Sequence, residues 1–402
     1  MRACGLVVEY NPFHNGHLYH LQQAKKTTDA DIMIAVMSGS FLQRGEPAII
    51  DKFHRVQAAL KSGIDIVLEL PYAFSVQSSE LFAKGSIQTL SKIGVDSVCF
   101  GSESGDIHDF LTSYQLLKNK LNTYKALLHE NLNKGLSFPE ASKIAYEHIG
   151  LTKDFDLSKP NNILGFSYVK EILEQHLPIK PVTIKRIKNN YHDVDISDTI
   201  ASATSIRSEL LVKQSQLNDL AQTMPSPTFE VLQAYKDKAS QWHQWEAYFP
   251  FLQYRVLTMG SKELALIEGV IEGLEYRIYK TAKKASSFHE WVQLIKSKRY
   301  TWTRIQRIFV HILTNTKKAE IASLNLMERI PYVRLLGMSP SGQHYLNIKK
   351  KQMDVPIVTK LSRSMHPMLQ IEERATHAYY SILSSAQKQE LFRKELSAPI
   401  QA

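Results

Sequence analysis

Four short apolar runs, Ala3 to Glu9, Ile32 to Met37, Ile64 to Leu70 and Ser97 to Phe100, are separated by stretches with helical character such as Gly16 to Lys26 and Phe53 to Lys61. A strand with one wet face alternates apolar and polar residues. These runs are nearly continuous instead, the pattern of strands covered on both faces of a parallel sheet. Strands alternating with helices predict a doubly wound, Rossmann-like α/β fold. Ligands of such sheets lie beyond the carboxyl ends of the strands. The loops Tyr10 to His17, Ser38 to Pro47 and Gly101 to Gly105 are therefore expected on one rim.

After Arg207 the pattern turns helical. Ile267, Val270, Leu274 and Ile278 recur at helical spacing, as do Ile305, Ile308 and Ile312. Pro225 to Pro227 reads as a turn, and Val333 to Lys351 fits neither pattern cleanly. The 402 residues are expected to divide into a nucleotide-activating α/β part at 1–210 and a mainly helical part at 211–402. Charge divides at the same place. Residues 1–210 hold 22 Lys and Arg against 23 Asp and Glu, whereas 211–402 hold 27 against 16, so the whole excess of +10 lies in the second half. A neutral half joined to a basic one suggests that the basic half meets a polyanion, nucleic acid above all. A basic surface that serves solubility alone is the other reading.

The apolar runs Gly5 to Val8 and Ile32 to Val36 are far shorter than the roughly 20 residues of a membrane span, and Glu9 interrupts the first before a signal core could form. Cys4 and Cys99 are too few for a disulfide framework or a four-thiolate zinc site. A cytoplasmic protein without a resident metal is expected.

The turn after the first run reads Asn11-Pro12-Phe13-His14-Asn15-Gly16-His17 and leads into a helix. Two histidines three apart can sit together at a helix N-terminus, where backbone N–H groups and the helix dipole favour phosphate. Gly16 lets a flat base or ribose approach the backbone. Taken alone, the pair also fits two zinc ligands or two surface histidines.

A second motif lies far downstream. His14-Asn15-Gly16-His17 resembles the HxGH signature of the nucleotidyltransferase superfamily, whose members act at the α-phosphate of ATP and release pyrophosphate. Ile200-Ala201-Ser202-Ala203-Thr204-Ser205-Ile206-Arg207 is similar to its second signature, with Ala203 where a serine is usual. The stretches Val8 to His17, Met37 to Ala48, Pro160 to Gly165 and Lys298 to Arg304 further resemble the bacterial tRNA(Met) cytidine acetate ligases, over nearly the whole chain. The resemblance implies ATP, with Mg2+, and acetate as substrates. It implies formation of acetyl-adenylate and transfer of the acetyl group to N4 of the wobble cytidine of elongator tRNA(Met).

The same resemblance implies catalytic roles for His14, His17 and Arg207. It implies that Val7, Tyr10, Asn11, Gly16, Gly101, Asn162, Arg186, Ser202 and Thr204 join them around the nucleotide. Acetate is a weak nucleophile, so catalysis must come from positioning and from stabilising phosphate charge. Imidazole N–H groups and the forked guanidinium of Arg207 suit that task. Bland readings stand beside these: Gly101 as a turn glycine, Asn162 as a helix N-cap, Arg186 as part of a solvated charge run, His20 as structural.

In the basic half, Arg304, Arg307 and His311 fall at i, i+3 and i+7, away from the isoleucine face, and predict a basic stripe. Lys298, Arg299, Tyr300 and Trp302 precede it, combining charge with rings able to stack on unpaired bases. Lys349, Lys350 and Lys351 form a second cluster expected to bind RNA. Trp302 reads equally well as a core residue. Two rival functions remain at this point: an enzyme that adenylylates a small phosphorylated acceptor, and a tRNA-binding protein without catalysis. Residues 1–210 alone, if they fold, are expected to form acetyl-adenylate without acetylating tRNA.

Overall fold

The computed structural model describes residues 1–151, 155–157, 159–186, 201–271, 273–362 and 365–402. The first half supplies strands β1 (Ala3–Val8), β2 (Ile32–Ser38), β3 (Ile66–Leu70), β4 (Ser97–Ser102) and β5 (Lys180–Lys185). Its helices include α1 (Asn15–Thr28), α2 (Lys52–Lys61), α3 (Ser79–Ile93) and α4 (Pro160–Glu174). All these strands pair in parallel in the order β5-β4-β1-β2-β3. Every residue of β2 and β3 is buried. Ile32, Ile34 and Val36 enter one core and Met33, Ala35 and Met37 the other. The near-continuous apolar runs are thus period-2 strands with a core on each side.

The strand order reverses between β1 and β4, because β2 and β3 extend the sheet to one side of β1 and β4 with β5 to the other. That switch point is where an open α/β sheet leaves a crevice at its carboxyl edge. The turn into α1 and the loop after β4 flank it.

Helix α5 (Ala203–Leu211), which ends at the division between the halves, and the second-half helices Ser226–Ala239, Trp245–Leu264, Leu274–Ala282, Phe288–Ile295 and α6 (Trp302–Leu313) join the core that carries Met33, Met37, Val56 and Tyr72. The second half also completes the sheet. Strand β6 (Val333–Met338) pairs antiparallel with β3, and β7 (Ile357–Val358) and β8 (Ile400–Gln401) pair with β6. Helices α7 (Pro340–Lys349) and α8 (Pro367–Tyr379) flank these strands. The segment Val333 to Lys351 is therefore a sheet strand with its following helix, and residue 210 is not a boundary of the sheet.

Two local expectations are corrected. Pro225 caps the helix Ser226–Ala239 and Pro227 lies in its first turn, where a missing N–H costs nothing. Ile267 and Val270 precede their helix: Gly269 (φ 77°) and Gly273 (φ 86°) adopt left-handed backbone, and the helix starts only at Leu274.

A buried charge cluster holds the two halves together. The Lys52 ammonium lies 2.5 Å from Glu69 Oε1, 2.6 Å from Glu395 Oε1 and 3.6 Å from Glu372 Oε1. Arg334 pairs with Glu69 at 2.9 Å and also with Glu395. Three carboxylates face two cations in a dry site. The carboxyl of Glu372 is pushed up to about 8 by burial and by Glu69 beside it, so it holds a proton at neutral pH and the charges balance.

Candidate active site

Beyond β1 the chain turns through Tyr10, at φ 48°, and a cis Asn11-Pro12 peptide into the N-terminus of α1. His14 is the N-cap. Its Nδ1 accepts the Gly16 N–H at 3.0 Å, and Nδ1 of His17 accepts the His14 N–H at 3.3 Å. The two rings stack with centroids 3.7 Å apart. This reciprocal cap fixes both tautomers, because an accepting Nδ1 must leave the proton on Nε2. Burial, with the charges of Arg186 and Arg207, holds His14 down at about 3. Burial, with His14, holds His17 well below its ordinary value. The pair consists of neutral N–H donors rather than cations, set where the α1 backbone already favours an anion.

The second signature opens α5. Ser202 is the N-cap and its hydroxyl accepts the Ser205 N–H at 3.0 Å, so that oxygen serves the helix, while Thr204 is exposed. Ile206 and Leu210 anchor the inner face. Arg207 reaches back to the Asn11 carbonyl at 2.9 Å and to Glu46 at 3.3 Å. Asn11 itself is locked by accepting the Ile49 N–H on Oδ1 at 2.7 Å. Both signatures thus meet on one rim, with Val7 half-buried on β1 and Tyr10 edge-on to His17 at 5.0 Å.

Gly101 lies on β4, where a Cβ would come within 3.2 Å of Arg186 Cγ. Asn162 is not an N-cap. It is buried in the first turn of α4 and its Oδ1 accepts the Glu103 N–H at 3.0 Å, while the Glu103 carboxylate accepts the Asn162 N–H at 2.8 Å. Asn162 therefore shapes the loop after β4. Ile200 and the 187–188 part of the charge run lie outside the described residues.

The loop after β2 supplies residues to which the sequence assigned no role. Gln43 donates its backbone N–H to Glu9 Oε1 at 2.8 Å and its side-chain amide to the Gln77 carbonyl at 3.0 Å. Arg307 of α6 donates to that same carbonyl at 2.8 Å. Gly45 (φ 75°) touches α6 so closely that a Cβ would sit 2.3 Å from the Arg307 nitrogen. No spacing rule links residues 9, 43, 77 and 307; the signal was the unexplained run Gln43-Arg44-Gly45-Glu46.

These contacts correct the basic stripe. His311 is buried against the Tyr72 hydroxyl at 2.9 Å, and burial holds it at about 3. Arg307 is half-buried under Gln77. The loop after β2 and Tyr72 to Gln77 cover this helix face, and a surface pattern cannot reveal what packs on top. Arg304, stacked over Tyr300 at 5.2 Å, and the exposed Lys298 and Arg299 remain a basic surface. Trp302 is half-buried beside His289. Lys349, Lys350 and Lys351 end α7, whose Tyr345 hydroxyl donates to the Ile93 and Gly94 carbonyls before β4. They stand at the opposite edge of the sheet.

The HIGH Nucleotidyl Transferase family model matches residues 1–394. The chain is 57% identical over 402 residues, covering 100% of both chains, to the tRNA(Met) cytidine acetate ligase of Oceanobacillus iheyensis. It is 47% identical to that of Bacillus subtilis, covering 94% of this chain and 92% of that one. Among solved structures it is similar to Thermotoga maritima TmcAL bound with alpha-thio ATP, with TM-score 0.89, 33% identity and coverage of 100% and 99%. The apo form of that protein gives TM-score 0.91.

Proposed function

The chain belongs to the tRNA(Met) cytidine acetate ligase family of HIGH nucleotidyl transferases, and we propose that it works in two steps at the rim between β1 and β4. It is a ligase, and ATP is its activating substrate. In the first step acetate attacks the α-phosphate and pyrophosphate leaves, giving acetyl-adenylate. In the second, N4 of the wobble cytidine of elongator tRNA(Met) takes the acetyl group. Such a reaction belongs in the bacterial cytoplasm, where tRNA is; no described helix is long and apolar enough to cross a membrane.

The observation that carries the reading is the interlocked cap of His14 and His17, set beside Arg207 at the switch point. Two neutral Nε2–H donors, the first turn of α1 and one guanidinium are suited to phosphate oxygens as charge builds on them. Gly16, Gly101 and Arg186 would flank the nucleotide, with Val7, Tyr10 and Asn11 shaping the floor. Ser202 and Asn162 act through the backbone they hold, and Thr204 is an exposed hydroxyl on the first turn of α5. Among the described residues no three His, Cys, Asp or Glu converge to hold a metal. Mg2+ would therefore arrive on the triphosphate, the usual mode for an ion that keeps most of its waters.

Arg304, Lys298 and Arg299 are proposed to meet RNA phosphates, with the second half receiving the anticodon arm and the first half activating acetate. The test is incubation with ATP, labelled acetate and total tRNA followed by nucleoside analysis. Acetylated cytidine confined to methionine tRNA and dependent on ATP is the expected result. A small adenylylated product instead would overturn the reading.

A further inference from the structure

The histidines that open α1 cannot serve as bases. Each uses Nδ1 to accept a backbone N–H and carries its proton on Nε2, so neither can take a second proton without breaking the cap. Acetyl transfer nevertheless needs a proton acceptor, because an amine nitrogen that gains an acyl carbon must lose a hydrogen.

Of the carboxylates on the described part of this rim, Asp51 accepts from His54 N and the Tyr380 hydroxyl, and Asp106 caps the helix after its loop by accepting the His108 N–H. Glu103 is used by α4, accepting from Asn162 N at 2.8 Å and from the Asn161 side chain at 2.7 Å. Glu46 is paired with Arg207. Glu9, directly after β1, is held at both ends: its carbonyl accepts from Arg55 at 2.7 Å and its Oε1 accepts from Gln43 N at 2.8 Å. Its side chain is half-buried, within electrostatic range of Arg44, Glu46, Arg207 and Tyr168.

We propose that Glu9 is a catalytic residue of the second step, receiving the cytidine amine and then its proton, an inference that rests on the ligase reading above. The N4 lone pair forms the bond to the acetyl carbonyl carbon. The bond from that carbon to the AMP oxygen breaks, and its electron pair leaves with the phosphate. The N4 proton passes to the Glu9 carboxylate, which later returns it to water. A carboxylate also accepts from the N4 amine of cytosine, whereas the O4 of uridine would face it lone pair to lone pair. Glu9 therefore both selects the base and activates it. Burial pushes its carboxyl up against the opposing Gln43 N–H and Arg44 charge, which makes it a stronger base than an exposed glutamate. Gln43 also shares the Gln77 carbonyl with Arg307, so the helix proposed to meet RNA and the loop that orients Glu9 are hydrogen-bonded to one common acceptor.

Glu9→Gln in the full chain keeps an oxygen for the Gln43 N–H. Two readouts separate the steps: acetate-dependent exchange of pyrophosphate into ATP, and single-turnover acetyl transfer to tRNA(Met) across pH. Exchange within about threefold of the parent is expected, with transfer slower by about a hundredfold or more and without the parent's rise with pH. Transfer at the parental rate overturns the proposal, as does equal loss in both readouts, which would put Glu9 in the first step. Absence of acetate-dependent exchange in the unsubstituted protein would overturn the ligase reading itself.

Discussion

Arg207 stands 3.3 Å from Glu46 and donates to the carbonyl of Asn11 at 2.9 Å, joining the second signature to the loops after β1 and β2. The Glu46 contact is partly exposed, and such pairs contribute about 0 to 1 kcal/mol. Glu46→Gln is therefore expected to change acetate-dependent exchange by less than about tenfold, the Asn11 contact still orienting Arg207. Arg207→Lys cannot reproduce the fork and should cost about a hundredfold or more. Steady-state exchange rates of the two variants, compared at saturating ATP, decide this.

His17→Ala removes a phosphate donor and one half of the α1 cap. Exchange should fall about a hundredfold or more while tRNA binding persists. Because His14 is held at about 3 and His17 well below its ordinary value, both stay neutral in the range around 6.5 where a free imidazole titrates. The parent's exchange rate should show no histidine limb in that range. A limb near 6.5 that vanishes in His17→Ala would contradict the neutral pair.

Replacing Lys298, Arg299 and Arg304 with alanine should weaken tRNA binding and flatten the salt dependence by about one unit of slope per lost phosphate contact. Replacing Lys349, Lys350 and Lys351, at the opposite edge, should leave that slope unchanged. Arg307→Ala should behave differently from both, because it holds the Gln77 carbonyl and through it Gln43: acetyl transfer should slow more than tRNA binding weakens. Filter binding over a salt series gives the slopes.

Removing one member of the buried cluster leaves an uncompensated charge. Arg334→Leu should destabilise the fold by about 3 to 5 kcal/mol, measured by urea unfolding. Glu372 acts with the opposite sign to most carboxylates. Its folded value of about 8 lies above the ordinary 4.5, so the native state binds the extra proton between those values. The stability this group contributes is complete below about 4.5 and is lost as pH rises through 8. Glu372→Gln should remain folded and lose less stability than the parent between pH 6 and 9.

A fragment of residues 1–210 lacks Arg334, Glu372 and Glu395, which surround Lys52 and Glu69, and lacks β6 on the edge of β3. It should fail to give a folded, adenylate-forming protein, because the Lys52–Glu69 pair would lose the further contacts of Arg334 and Glu395 and the edge of β3 would stand unpaired. A cooperative thermal transition in the purified fragment would contradict this.

The amino-acid sequence by itself determined the parallel sheet, the placement of the first signature on its carboxyl rim and the family. Near-continuous apolar runs such as Ile32 to Met37, and helix starts such as His14-Asn15-Gly16-His17, are local patterns that each element expresses on its own. Tertiary structure alone decided how the halves join. Strand β6 pairs with β3 across more than 260 residues, and Lys52 is surrounded by Glu69, Glu372 and Glu395 from three places in the chain. His311 and Arg307 looked like surface cations because helical spacing reports which residues share a face, not what covers it. The links from Glu9 through Gln43 and Gln77 to Arg307 arise for the same reason: hydrogen bonds between distant loops depend on three-dimensional closeness, and no periodicity encodes that.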